Sequence, residues 1–179
     1  MPADVDQLEA VLDKTARLIA EVRPEQGSLP TPCPDYDVAT LVGHTVEWVG
    51  HFADALAGGP ATPQPGQLAE DQFRASAERA VAALRAGAME REVTLGEMTL
   101  PGSAVAGMML MEYVGHGWDL ATATGQPIPY APDEAESALA TGRGMLTPEL
   151  RGDAFAPEVP IADDAPAVDR FVAFLGRTA

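Results

Sequence analysis

The stretch from Val105 to Ala123, VAGMMLMEYVGHGWDLATA, sets the tightest limit on what this chain can fold into. Its apolar residues recur at steps of three and four, the period of a helix that turns one face to a core. At about 100° per residue, with Glu112 as zero, Val105 falls near +20°, Met109 near +60°, Met108 near −40° and Leu120 near +80°. On the same scale His116 lies at roughly +40° and Asp119 at roughly −20°. A carboxylate and an imidazole therefore stand in the middle of a stripe built for the interior. An unpaired buried carboxylate is costly enough that a fold normally neutralises or pairs it. Some group must be set against Glu112.

The other segments fit a helical bundle that could surround such a stripe. From Asp4 to Val22, the residues Val5, Leu8, Leu12, Ala16 and Ile19 form one helix face, and Pro24 follows as a stop. LPTPCP, Leu29 to Pro34, is a stiff extended entry. Asp35 or Asp37 can then cap a second helix running to Ala57, closed by Gly58, Gly59 and Pro60. A Pro-rich connector from Ala61 to Gly66 leads to an Ala-rich outer helix over Gln67 to Arg85. REVTL followed by GEMTL alternates near period two, which predicts a short β-hairpin. Pro101, Gly102 and Ser103 open a fourth helix to Thr124, Pro132 to Met145 forms a fifth, and Asp169 to Leu175 a short last one. The four prolines between Thr147 and Ala167 predict an extended tail over the bundle. The expected fold is all-α: a four-helix bundle with a short β-hairpin and an extended C-terminal tail, one domain over residues 1–179.

Charge and cysteine usage narrow the function classes. Twenty-seven acidic residues against 11 basic ones give a formal net charge of −16. That field repels phosphate backbones and anionic lipid, so neither a nucleic acid nor a membrane surface is expected as partner. The 46% hydrophobic content is that of a globular protein, and an aromatic content of only 6% favours helices over a β-sandwich. Cys33, the single cysteine, excludes an intrachain disulfide and a multi-cysteine metal cluster. The N-terminus, MPADVDQLEAVLDK, has neither the basic start nor the apolar run of a signal peptide, so a cytoplasmic setting is expected.

Because basic residues are scarce, a divalent cation is the natural candidate to compensate Glu112. Glu112 and His116 are four residues apart, one turn along a single face, which is a spacing one ion can bridge. On this helix alone a hydrogen-bonded buried pair or a solvated edge is the commoner outcome. A third ligand must come from elsewhere. His44 and His51 share a face of the second helix about 10.5 Å apart, and periodicity does not choose between them. Asp119 can orient an imidazole or simply meet solvent. Cys33 suits a packed position better than a reactive one, having no basic neighbour in sequence to lower its pKa. Met108, Met109 and Met111 fit core gaps, and Trp48 and Trp118 fit helix packing.

TPCPDYDVATLVGH, followed much later by MEYVGHGWDLATATGQPIP and by the ending FAPEVPIADDAPAVDRFVAFLGR, resembles a known group. It is similar to the actinobacterial metal-binding proteins related to the N-terminal domain of mycothiol-dependent maleylpyruvate isomerase, within the DinB/YfiT-like superfamily. The resemblance spans Leu29 to Arg177 and rests on the ordered combination of motifs. It implies a metal held inside the bundle by His44, Glu112 and His116, with no counterpart for His51. It further implies zinc, with nickel as the second choice, and mycothiol as a thiol cosubstrate.

Three protein ligands leave a position open, as in catalytic sites. Two readings follow: a metal- and thiol-dependent transferase or isomerase acting on a small electrophile, or a non-catalytic metal-binding or regulatory bundle. The isomerase carries an additional C-terminal domain that contributes to catalysis and that 179 residues do not accommodate. Maleylpyruvate isomerisation itself is therefore not the expected activity. A monomer or homodimer is expected.

Overall fold

The computed structural model describes residues 4–61, 66–147, 151 and 155–178. Helix α1 (Val5–Ala20) begins where the Asp4 carboxylate accepts the Asp6 amide, and it buries Leu8, Val11, Leu12, Ala16 and Ile19. It ends before Pro24, which instead opens a short 3-10 turn, Pro24–Gln26. Helix α2 (Val38–Ala57) starts from the Asp37 side chain, which accepts the Thr40 amide. It stops at Gly58, whose φ of 79° is a left-handed conformation that glycine adopts without strain.

The proline-rich entry to α2 is folded back on itself. The Thr31 hydroxyl donates to the carbonyls of Cys33 and Tyr36, each at 2.8 Å. The Val38 amide donates to the Leu29 carbonyl at 3.0 Å. These bonds hold Cys33 and Tyr36 close to the first turns of α2.

Helix α3 (Ala69–Arg85) packs on α1 and α2. The connector expected from Ala61 to Gly66 falls mostly outside the described residues. The hairpin forms as expected: β1 (Glu92–Leu95) pairs antiparallel with β2 (Met98–Pro101), Leu95 opposite Met98. Helix α4 (Gly102–Thr124) packs against both α1 and α2 and completes the bundle. Helix α5 (Pro132–Met145) lies on α4, and α6 (Ala167–Phe174) packs on α5 and touches α4. Lys14 ties α5 to α1 by reaching both carboxylate oxygens of Glu134 at 2.7 Å.

The entry to α2 thus turns back where its prolines predict an extended segment, and two further expectations change. The periodicity of α4 describes a helix with one buried stripe, whereas the helix is buried nearly all round. The reason is the extra layer of α5 and α6, which covers the side that a bundle of four helices would leave wet. Glycines permit that closeness: a Cβ on Gly117 would collide with the Tyr130 hydroxyl, which donates to the Tyr113 carbonyl at 2.8 Å. The tail from Thr147 is also not extended throughout. Arg151 is helical, and its amide donates to the Thr147 carbonyl at 3.1 Å. Residues 148–150 and 152–154 lie outside the described residues. From Phe155 to Pro166 the backbone is non-helical, and the Val159 amide bonds the Ala173 carbonyl at 2.9 Å.

Candidate metal centre

Glu112 stands near the middle of α4, and His116 one turn later brings its Nε2 to 3.5 Å from Glu112 Oε1. From the facing helix α2, His44 places its own Nε2 3.0 Å from the same oxygen. The two imidazole rings meet nearly edge to face, with centroids 5.1 Å apart and planes at 81°. The three donor atoms lie within 4.8 Å of one another. Donors bound to one tetrahedral zinc at ordinary bond lengths are roughly 3.3 Å apart, so two of the three spacings already match a chelating set.

The outer nitrogens are both engaged. The Tyr36 hydroxyl is 3.1 Å from His44 Nδ1. His116 Nδ1 is 3.0 Å from Asp119 Oδ2. Asp119 has no exposed side-chain surface, and Arg177 donates to it twice, from Nε to Oδ1 and from Nη2 to Oδ2, both at 2.7 Å. Burial pushes the Asp119 carboxyl up, but the bonds from His116 and Arg177 outweigh it and hold the group below the usual carboxylate range. An ionised carboxylate only accepts, so His116 Nδ1 carries a proton, and a ring with that proton alone turns the lone pair of Nε2 toward Glu112.

That arrangement sets two acceptors against each other. Glu112 is itself held as a carboxylate: burial raises its pKa, but His116 and His44 beside it and the charge of Arg177 bring it below the ordinary value. A lone pair on His116 Nε2 facing a carboxylate oxygen is repulsive unless the ring takes a second proton or a cation lies between them. Nitrogen and oxygen donors converging in this way suit a borderline divalent ion such as zinc. The residues present therefore fit the group that the sequence implies.

His51 stands apart. Its side chain is 53% exposed and faces Glu47 across 3.6 Å. It lines a larger open groove, about 910 Å³, between the hairpin and the end of α2, which none of His44, Glu112 and His116 lines. Of the two histidines of α2, His44 and not His51 lies beside Glu112 and His116.

Arg177 is the residue that sequence reasoning missed. A cation does reach Asp119, from 58 residues further along the chain. The expectation that Cys33 lacks a basic neighbour is corrected by the same residue. Arg177 lowers the thiol's pKa, yet burial outweighs it and the thiol is pushed up. Cys33 Sγ lies within 4.8 Å of donor atoms of His116 and Asp119. Tyr36 sits in the TPCPDYD motif, but no spacing argument assigns it a partner; its placement depends on the folded-back loop.

The Tyr36 contact is open to test. Losing an outer hydrogen bond to a ligating histidine costs about 10- to 100-fold in metal affinity. Tyr36→Phe is expected to fall at the lower end, because Trp48, with its ring centroid 6.1 Å from that of His44, also confines the ring. Competition against a chromophoric chelator measures it, and unchanged affinity would mean that packing alone orients His44.

Residues 8–121 match the mycothiol maleylpyruvate isomerase N-terminal domain family, a span that contains His44, Glu112, His116 and Asp119 but not Arg177. Two relatives, uncharacterized proteins of Mycobacterium tuberculosis strains CDC 1551 / Oshkosh and ATCC 25618 / H37Rv, are each 36% identical over 172 residues. Each alignment covers 93% of this chain and 93% of the relative. No solved structure matches the chain. With most of the chain under the family match and the relatives aligned along nearly their whole length, the protein belongs to the mycothiol maleylpyruvate isomerase N-terminal domain family.

Proposed function

We propose that this chain holds a divalent cation, zinc first and nickel second, through His44, Glu112 and His116, and works as a transferase or isomerase that joins a small thiol to an electrophilic substrate. The family points to mycothiol as that thiol. The supporting observation is the convergence of two Nε2 atoms and one carboxylate oxygen on the wall of a cavity of about 500 Å³. The bound cation would supply Lewis acidity, favouring the thiolate form of the thiol or polarising a substrate carbonyl.

The chain's own residues prepare the site. Asp119 keeps the proton at His116 Nδ1, so Nε2 faces inward as a donor. Arg177 keeps Asp119 ionised. Tyr36 fixes the plane of His44. Apolar side chains from α2, α4, α5 and the C-terminal segment line much of the remaining cavity and limit its water. We assign the activity to the cytoplasm, where a lone thiol such as Cys33 stays reduced. Among the described residues no helix is long and apolar enough to cross a membrane.

The decisive experiment is a titration of the cobalt-substituted protein with mycothiol, with N-acetylcysteine as a simpler thiol. A new sulfur-to-cobalt charge-transfer band, saturating at one thiol per chain, is expected. A metal-loaded protein that shows no such band with either thiol would be a non-catalytic metal binder.

A further inference from the structure

The cavity beside the three donors is lined by two unlike sets of side chains, and their chemistry bears on the substrate. His44, Glu112, His116 and Arg177 are polar or charged. Trp48, Met108, Met111, Leu146, Phe155 and Leu175 supply an apolar surface that begins one helical turn from the donors. Among the described lining residues Arg177 is the only Lys or Arg, and its two strongest bonds are spent on Asp119. We propose that the site takes an electrophile with one polar or singly anionic head and an apolar tail, and rejects dicarboxylates. The inference rests on the metal-binding reading above and adds the class of substrate.

Charge bookkeeping supports one anionic head and no second. Arg177 is taken up by Asp119, which leaves the divalent ion beside Glu112 as the one cationic partner among the described lining for a substrate's head. One anionic head satisfies it. A second carboxylate on the same small molecule would have to lie among methionine, leucine and phenylalanine side chains, where desolvation is costly without a partner. Asp35, exposed at the rim of the cavity, and a chain net charge of −16 add repulsion on the way in. Met108 and Met111, on the same helix as Glu112 and His116, are flexible and polarisable, so they can close on an apolar tail of variable shape.

A matched pair of probes isolates the tail. Pentanohydroxamic acid and succinic monohydroxamic acid share a chelating head and a chain of similar length, and differ in ending on a methyl or a carboxylate. Both are titrated into the full-length cobalt-substituted protein and followed by the visible cobalt spectrum. The pentanoyl compound is expected to bind at least tenfold more tightly. In Leu146→Lys, which places an ammonium on the half-buried apolar wall, that preference is expected to shrink or reverse. Equal affinities, or tighter binding of the succinyl compound to the unmodified chain, would overturn the substrate class while leaving the metal site standing. A cobalt-loaded protein whose spectrum responds to neither probe would overturn both the substrate class and the open metal site beneath it.

Discussion

Glu112→Ala, His44→Ala and His116→Ala are each expected to purify without stoichiometric metal, while His51→Ala retains it. Losing one of three donors should weaken binding by more than the about 10- to 100-fold that follows from losing an outer partner of a ligand. Metal analysis after exhaustive dialysis reads the result directly. A second readout is thermal. An ion that binds only the native state stabilises it by about 2.7 kcal/mol when present at 100 times its dissociation constant. The wild type should therefore gain in melting temperature on adding zinc, and the three variants should not. Glu112→Gln separates charge from shape. It keeps a side chain of similar size opposite both imidazoles but removes the carboxylate, so the apo protein should fold while zinc affinity collapses. Retention of metal by His44→Ala together with its loss from His51→Ala would show that the wrong histidine of α2 has been assigned, against the 3.0 Å contact between His44 and Glu112.

Local signals carried much of this architecture. Asp4 and Asp37 cap α1 and α2 as their side chains permit, and Gly58 and Gly125 end α2 and α4 in left-handed conformations. The period-two alternation of REVTL and GEMTL becomes the β1–β2 hairpin. Glu112 and His116 were legible because a turn of helix fixes their relation whatever the tertiary fold. His44 was legible only through its resemblance to a family motif; on periodicity it stood level with His51. What the sequence hid depends on long-range contact. Arg177 meets Asp119 across 58 residues, and Lys14 meets Glu134 across 120, pairings that no local spacing encodes. The all-round burial of α4 was hidden for the same reason. An angular plot of one helix reports the face richest in apolar residues, but not whether a second layer such as α5 and α6 will cover the remainder.

Asp119→Ala is expected to cost about 3 to 5 kcal/mol of folding stability, since it leaves a largely buried guanidinium without its partner. The Arg177 side chain is only 11% exposed, and its remaining link among the described residues, to the Leu175 carbonyl at 3.5 Å, is too long to replace two bonds of 2.7 Å. Arg177→Met leaves the opposite charge buried, and His116 alone must then balance Asp119. Urea unfolding of the apo protein measures both. The double variant Asp119→Leu/Arg177→Met is the informative one. Exchanging a buried ion pair for apolar residues of similar volume is often neutral or better, so most of the lost stability should return. Metal affinity should not return. Without Asp119 no other hydrogen bond among the described residues fixes the proton at His116 Nδ1, and zinc binding is expected to stay about 10- to 100-fold weaker than in the wild type. A double variant that regains both stability and affinity would make the pair a packing device alone. One that regains stability without affinity would establish that a residue from the far end of the chain, through Asp119, sets the donor state of a ligand on α4.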